Sequence, residues 1–329
     1  MEIVFSGDGR DFVRRDWTNL VAADPAGTFF HTPQFLKLYW EEFLEGQEQL
    51  VLAFAEEDGS QVGAVAFERS GARLRFLGGT EVTDYMGPVA FPDAAGGFAK
   101  ELLAALERRD DWTEADLRGL PEDRPWLERL AESAAAQGFR VEVADDTNGI
   151  APFLRLPGSY DEYLNALPAK LRHEIRRKAR KLEAEAGPYR ICLAHPHTLA
   201  EYLDRFVELH KQSDGPKGVF LQSGMEIFFR RLGEEFLRRG MFSLAFLEVG
   251  GQKVAGTVGF RFEGISYLYN SAFDRSWRHL SPGMVLVAED IRIAIEGGCN
   301  GFDMLKGEYD YKYRFGAYPR FIKRLAISR

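Results

Sequence analysis

Between Asp303 and Arg314 the chain reads DMLKGEYDYKYR. Asp303, Lys306, Glu308, Asp310, Tyr311, Lys312 and Arg314 crowd one short segment behind an apolar strand pattern. Loops that follow strands commonly display reacting groups. A carboxylate placed there can take a proton from an amine nucleophile, and Glu308 and Asp303 are the candidates. Lys312 can stabilise a developing oxyanion. Lys306 and Tyr311 suit holding an acceptor. The same charges also fit a surface loop of paired side chains.

A second stretch is DRSWRHLSPGMVL, Asp274 to Leu286. Ser281 suits a helix cap and Pro282 a first helical turn. A helix start presents unpaired N–H groups that attract anions. Gly283 allows close backbone approach, and Arg275, Arg278 and His279 stand just ahead. Leu280 and Met284 complete the candidate anion-binding segment. The preceding strand, ISYLYNSAFD, sets Tyr267 and Tyr269 on one face and Asn270 on the other. Tyr269 is the candidate proton donor; packing in the core is the plainer role for both tyrosines. In the first half, GTEVTDYMGP carries Asp84 and Tyr85, candidates for contacting an acceptor in a groove between domains, although Asp, Gly and Pro are also ordinary turn formers.

The elements that must position these residues occur twice. LAFAEEDGSQVGAVAF (52–67) and LAFLEVGGQKVAGTVGF (244–260) are the same hairpin in outline. Each follows an amphipathic helix: Phe35, Leu38, Tyr39 and Phe43 in the first copy, Ile227, Phe228, Leu232 and Phe236 in the second. Thr32 and Ser223 are the expected start signals. A third strand, a helix and a further strand follow in both copies. Five elements repeating in one order indicate duplicated domains rather than a solenoid, whose period is about 20–50 residues. The expected fold is α/β (α+β), with two tandem domains, each a mixed, mostly antiparallel sheet flanked by helices. Their expected extents are 1–155 and 156–329.

The second half opens with a basic helix, 168–182. Leu171, Ile175, Ala179 and Leu182 form its apolar stripe; Lys170, Arg172, Arg176, Arg177, Lys178, Arg180 and Lys181 cover the rest. Such a run is ordinarily a solvated helix face. The net charge of −8 argues against a protein built mainly to coat nucleic acid. Cys192 and Cys299 lack metal-site spacing, so no metal is expected. Neither a signal peptide nor a membrane span is visible, and a cytoplasmic location is expected.

The element order, together with FHTPQFLKLYW, LGG…DYMGP, LPAKLRHEIRRKARKLE and GFDMLKGEYDYKYRFG, resembles the CelD-type acetyltransferase domain proteins of the GNAT fold. These are similar to the FemAB aminoacyltransferases, which also carry two GNAT-like domains. The resemblance implies an acyltransferase that uses acyl-CoA, such as acetyl-CoA, and a small-molecule or peptide-like amine acceptor. It implies that Asp274–Leu286 holds the pyrophosphate of coenzyme A, where the usual pattern is Arg/Gln-x-x-Gly-x-Gly/Ala and one glycine remains here. It implies that strand 265–274 splays to admit pantetheine, and that Lys312, after aromatic Tyr311, matches a FemAB-like lysine. The matching segment of the first half, PDAAGGFAKELL, has no adjacent arginine and is expected to be degenerate. Aminoacyl-tRNA as donor, with a cell-wall precursor as acceptor, is the alternative that the FemAB likeness implies; a silent binding protein is a third.

Overall fold

The computed structural model describes residues 1–44, 46, 48–212 and 224–329, so Ser223 lies outside the described residues. Two compact units emerge: Met1–Ile150 with Arg320–Arg329, and Ala151–Pro319.

The first unit contains β1 (Glu2–Ser6), α1 (Asp11–Arg14), α2 (Thr18–Ala23), α3 (Pro33–Phe43), β2 (Gln49–Glu57), β3 (Ser60–Ser70), β4 (Arg73–Phe76), β5 (Val89–Ala90), α4 (Ala95–Glu107), β6 (Glu114–Pro121) and α5 (Pro125–Ala136). Thr32 caps α3 by accepting from Phe35 N at 3.3 Å, and Pro33 begins the helix, as expected. Phe67, Phe98, Trp112 and Trp126 lie in its core. β7 (Arg140–Arg155) begins in this unit and carries the chain into the second.

The second unit holds α6 (Tyr160–Ala166), α7 (Ala169–Ala186), β8 (Tyr189–Leu193), α8 (Leu199–Lys211), α9 (Gly224–Arg238), β9 (Phe242–Val249), β10 (Gln252–Phe262), β11 (Ile265–Phe273), α10 (Pro282–Glu296), β12 (Gly301–Asp303) and α11 (Asp310–Tyr313). Its strands run β12-β11-β10-β9-β8. The repeated hairpin is the same object in both units. Asp58-Gly59 links β2 to β3, and Gly250-Gly251 links β9 to β10. Both residues of each loop have positive φ (50° and 76°, 56° and 81°). Two such residues make the turn whose twist matches paired strands.

One departure from contiguous halves at 155/156 lies at the C-terminus. The last strand, β13 (Tyr318–Ser328), pairs antiparallel with β6, from Ile322↔Pro121 to Ser328↔Glu114. A register shift between Lys323 and Leu325 lets Ile322, Leu325 and Ile327 all turn inward, where they are buried. The chain therefore returns its final residues to the first unit. Among the described residues no helix is long and apolar enough to cross a membrane.

α10 buries Val285, Leu286, Val287 and Ile291, yet it also turns Asp290 inward. The Asp290 carboxyl bonds Thr257 and lines a cavity of about 20 Å³, while its Oδ2 has no partner among the described residues. Burial pushes this acid up to about 7, with Glu289 adding to the effect and Thr257 and Arg261 opposing it. The folded state thus keeps a proton that the unfolded chain loses near pH 4, so stability falls as pH rises from about 4 to about 7. At about 1.4 kcal/mol per pH unit the loss approaches ~4 kcal/mol over that window. Urea titrations at pH 5 and pH 7.5 should show the decline in the parent protein and a much flatter response in Asp290→Asn.

Candidate active site

β11 and β12 run parallel for three residue pairs, Ile265↔Gly301, Ser266↔Phe302 and Tyr267↔Asp303. β12 then ends, while β11 continues to Phe273. On its other side β11 carries a bulge against β10: Gly259 pairs with Leu268 and Val258 with Asn270, leaving Tyr269 as the extra residue. A Cβ on Gly259 would come within 2.8 Å of Tyr267 O, so glycine is required for the strands to approach here. Past Tyr267, β11 no longer pairs with β12, and the bulge lies just beyond that point.

Tyr311 from α11 reaches β11. Its phenol is hydrogen-bonded to the Ser271 side chain of β11, and burial pushes its pKa up to about 12. It therefore stays protonated at working pH. Tyr269 faces elsewhere: its ring stacks on Phe229 at 5.6 Å and meets Phe260 edge-on at 5.4 Å.

The charged segment after β12 separates into bracing groups and exposed ones. Asp303 is 1% exposed, and its Oδ1 accepts from Leu305 N at 2.8 Å. Leu305 takes φ 57°, a costly left-handed conformation that this carboxylate supports. Lys312 is 4% exposed, and its Nζ donates to Leu305 O (2.8 Å) and Lys306 O (3.0 Å). Both were expected to act on substrate; their burial and bonds make them braces of the turn instead. Glu308 is exposed, with Tyr313 Oη donating to its Oε1 at 3.4 Å, and Lys306 is half-buried. In the first unit Tyr85 is 1% exposed, beneath Arg320 and beside Phe30, so its ring is a packing group rather than an acceptor contact. Asp84 is half-buried.

The α10 start behaves differently from its expected cap. Ser281 has φ 55° and ψ 47°, and its side chain caps no helix amide. Its Oγ accepts from Lys178 Nζ at 3.0 Å, while Lys181 Nζ donates to His279 O at 3.0 Å. Burial lowers the Lys178 pKa even though Glu174 and its hydrogen bond oppose the shift. Met284 N and Val285 N both bond back to Ser281 O, and Gly283 N–H has no acceptor among the described residues. Arg275, Arg278 and His279 are exposed, Met284 is half-buried and Leu280 is buried. A free amide at a helix start within a ring of cations suits a phosphate. Lys178 and Lys181 belong to the basic run for which phosphate binding is the alternative to a solvated helix face. Their position three residues apart on one α7 face was the signal in the sequence for these two.

Residues 169–313 match the family model of the acetyltransferase (GNAT) domain. This segment, under half of the chain, is similar to that domain.

The likeness in fold reaches beyond this segment. A FemX crystal structure superposes over 99% of this chain and 97% of its own, with TM-score 0.65 and 12% identity. A conserved protein of unknown function from Bacteroides thetaiotaomicron gives TM-score 0.64 and 16% identity over 99% of this chain and all of its own. A tandem GNAT protein from the clavulanic acid biosynthesis pathway gives TM-score 0.51 and 14% identity, over 99% and 98%. The fold is thus that of tandem GNAT proteins. No curated protein matches the sequence significantly. Within the GNAT pattern, Arg278 and Gly283 occupy the expected first and last positions, and Ser281 stands where the first glycine belongs. Its left-handed backbone preserves the glycine's conformation without the glycine.

The bracing role of Lys312 has a direct consequence. Lys312→Met leaves two carbonyls without their charged donor, which costs about 2–4 kcal/mol. Thermal unfolding should show a drop of several degrees for Lys312→Met and almost none for Lys306→Ala.

Proposed function

We propose that the GNAT domain transfers an acyl group from an acyl-CoA thioester to an amine by direct attack, without a covalent enzyme intermediate. The single observation that carries this reading is that β11 and β12 stop pairing after three residue pairs in a unit whose α10 starts with a free Gly283 amide. Arg275, Arg278, Gly283 and Lys178 are the groups that would hold the phosphates. The thioester supplies an activated acyl carbonyl with a thiolate leaving group.

Glu308 is exposed and is the proposed base: it takes the proton as the amine forms the C–N bond. Tyr311, protonated and held at β11 by Ser271, is the proposed donor to the thiolate as the C–S bond breaks. Lys306 is proposed to hold an anionic group of the acceptor. The first unit is proposed to have lost donor binding, since α4 starts at Ala95 with no side-chain cap and no nearby arginine in the sequence. Asp84 remains the acceptor-side candidate there, and the cytoplasm the proposed location.

Calorimetric titration with acetyl-CoA tests the donor. A Cβ at Gly283 would sit 3.5 Å from the Phe273 ring, an ordinary contact, so Gly283→Asp changes charge with little steric cost. Saturable binding should weaken at least tenfold in that variant. Equal binding in both proteins would remove the phosphate site from α10. With an amine acceptor in hand, Glu308→Gln should lower kcat about 100-fold while leaving the donor KM unchanged. An unchanged kcat would exclude Glu308 as the base.

A further inference from the structure

Charge is unevenly divided along this chain. The excess of acid lies entirely in the first unit, whereas the second carries slightly more Lys and Arg than Asp and Glu. Several arginines of the second unit hold carboxylates. Arg190 is 2.6 Å from Glu248, Arg230 2.9 Å from Glu226, Arg239 2.7 Å from Glu235, and Arg314 3.0 Å from Glu174. Arg176, Arg177 and Arg180 on α7 do not. All three are exposed, and none makes an ion pair among the described residues; the only bond there is Arg180 Nε donating to Arg176 O at 3.3 Å.

Positions 173, 176, 177 and 180 share one helix face, about 10 Å long at 1.5 Å per residue. Its inner stripe packs Ile175 and Leu182 into the unit, while Lys178 and Lys181 turn aside to grip Ser281 and His279. The row lies on the solvent side of α7, and Lys178 and Lys181 tie the same helix to the turn at the start of α10, where Arg278 is also exposed. Like charges three and four residues apart destabilise a helix by a few tenths of a kcal/mol per pair. An anionic partner removes that repulsion, and planar guanidinium forks match carboxylates as well as phosphates.

Pantetheine thioesters occur on two bodies: the nucleotide of coenzyme A and small acidic carrier proteins. Ser281 Oγ is held by Lys178 at the turn before α10. The unpaired arginines lie on the same helix as that lysine, α7. We propose that the arginine face of α7 docks an acidic carrier protein that presents its acyl group on a phosphopantetheine arm. This rests on the thioester reading of the GNAT domain. A carrier protein is favoured over RNA because the row is one short helix face within a chain of net charge −8.

The test uses the full chain and four probes: acetyl-CoA, a bacterial acetyl-acyl carrier protein, its apo form without the arm, and a short RNA hairpin. Two triple variants replace Arg176, Arg177 and Arg180 with Glu or with Gln, and circular dichroism checks that both remain folded. The expected result is that the carrier protein binds, more weakly as salt rises. The Glu variant should lose at least 30-fold in affinity for it and the Gln variant about tenfold, while acetyl-CoA binding changes less than twofold. The apo form should keep the arginine dependence at lower affinity. If acetyl-CoA binds but the carrier protein does not, the docking proposal fails and the thioester reading stands. If no thioester binds, that reading fails and takes the proposal with it. If only the RNA hairpin binds with this arginine dependence, the face is a nucleic-acid surface and the proposal is overturned.

Discussion

β11 and β12 hold each other through three residue pairs and then separate, and most of the second unit's chemistry depends on that short pairing. A longer parallel ladder would pair the β11 residues beyond Tyr267 as well. Two features keep it short. β12 is only Gly301–Asp303, and Asp303 spends its carboxylate on the amide of Leu305, which turns the chain away. On the far side, Gly259 lets β10 and β11 approach closely enough to push one residue out of register. Bulges of this kind redirect side chains where regular pairing would not.

The buried polar groups just after β12 are largely satisfied, and that fixes the turn. Lys312 places a cation on two carbonyls of the segment 305–306, so the exposed Glu308 projects from a braced loop. Burying an ammonium is tolerable only with such partners. The start of α10 follows a similar pattern with a different donor. Lys178 holds Ser281 in a conformation that a non-glycine residue rarely adopts. Local strain held by nearby bonds is common at ligand sites.

Much of the fold was legible in the sequence. The repeated hairpin announced itself through paired Gly-containing turns and alternating apolar residues, and both copies form. The helix at Pro33 carried its cap and proline in plain view. The return of β13 to the first unit was not legible, because pairing between Ile322 and Pro121 is a long-range choice that local patterns do not encode. In the candidate site, several side chains differ from what their types suggested. Asp303 and Lys312 looked like reacting groups because the sequence reports type and spacing, whereas burial decides whether a charge can meet a substrate. Spacing likewise did not report that the bulge and the aromatic neighbours Phe229 and Phe260 direct the Tyr269 ring. The lysines of α7 looked like solvated charge until the helix was packed beside the turn that they grip.

The central claim is that one ligand spans the start of α10 and the bulge on β11. Its most direct test is an amide NMR titration of isotope-labelled protein with coenzyme A. The account predicts saturable shifts with a single dissociation constant at Gly283 and Met284 and, in the same titration, at Tyr269 and Asn270. Shifts confined to other parts of the chain, or none at saturating ligand, would contradict it.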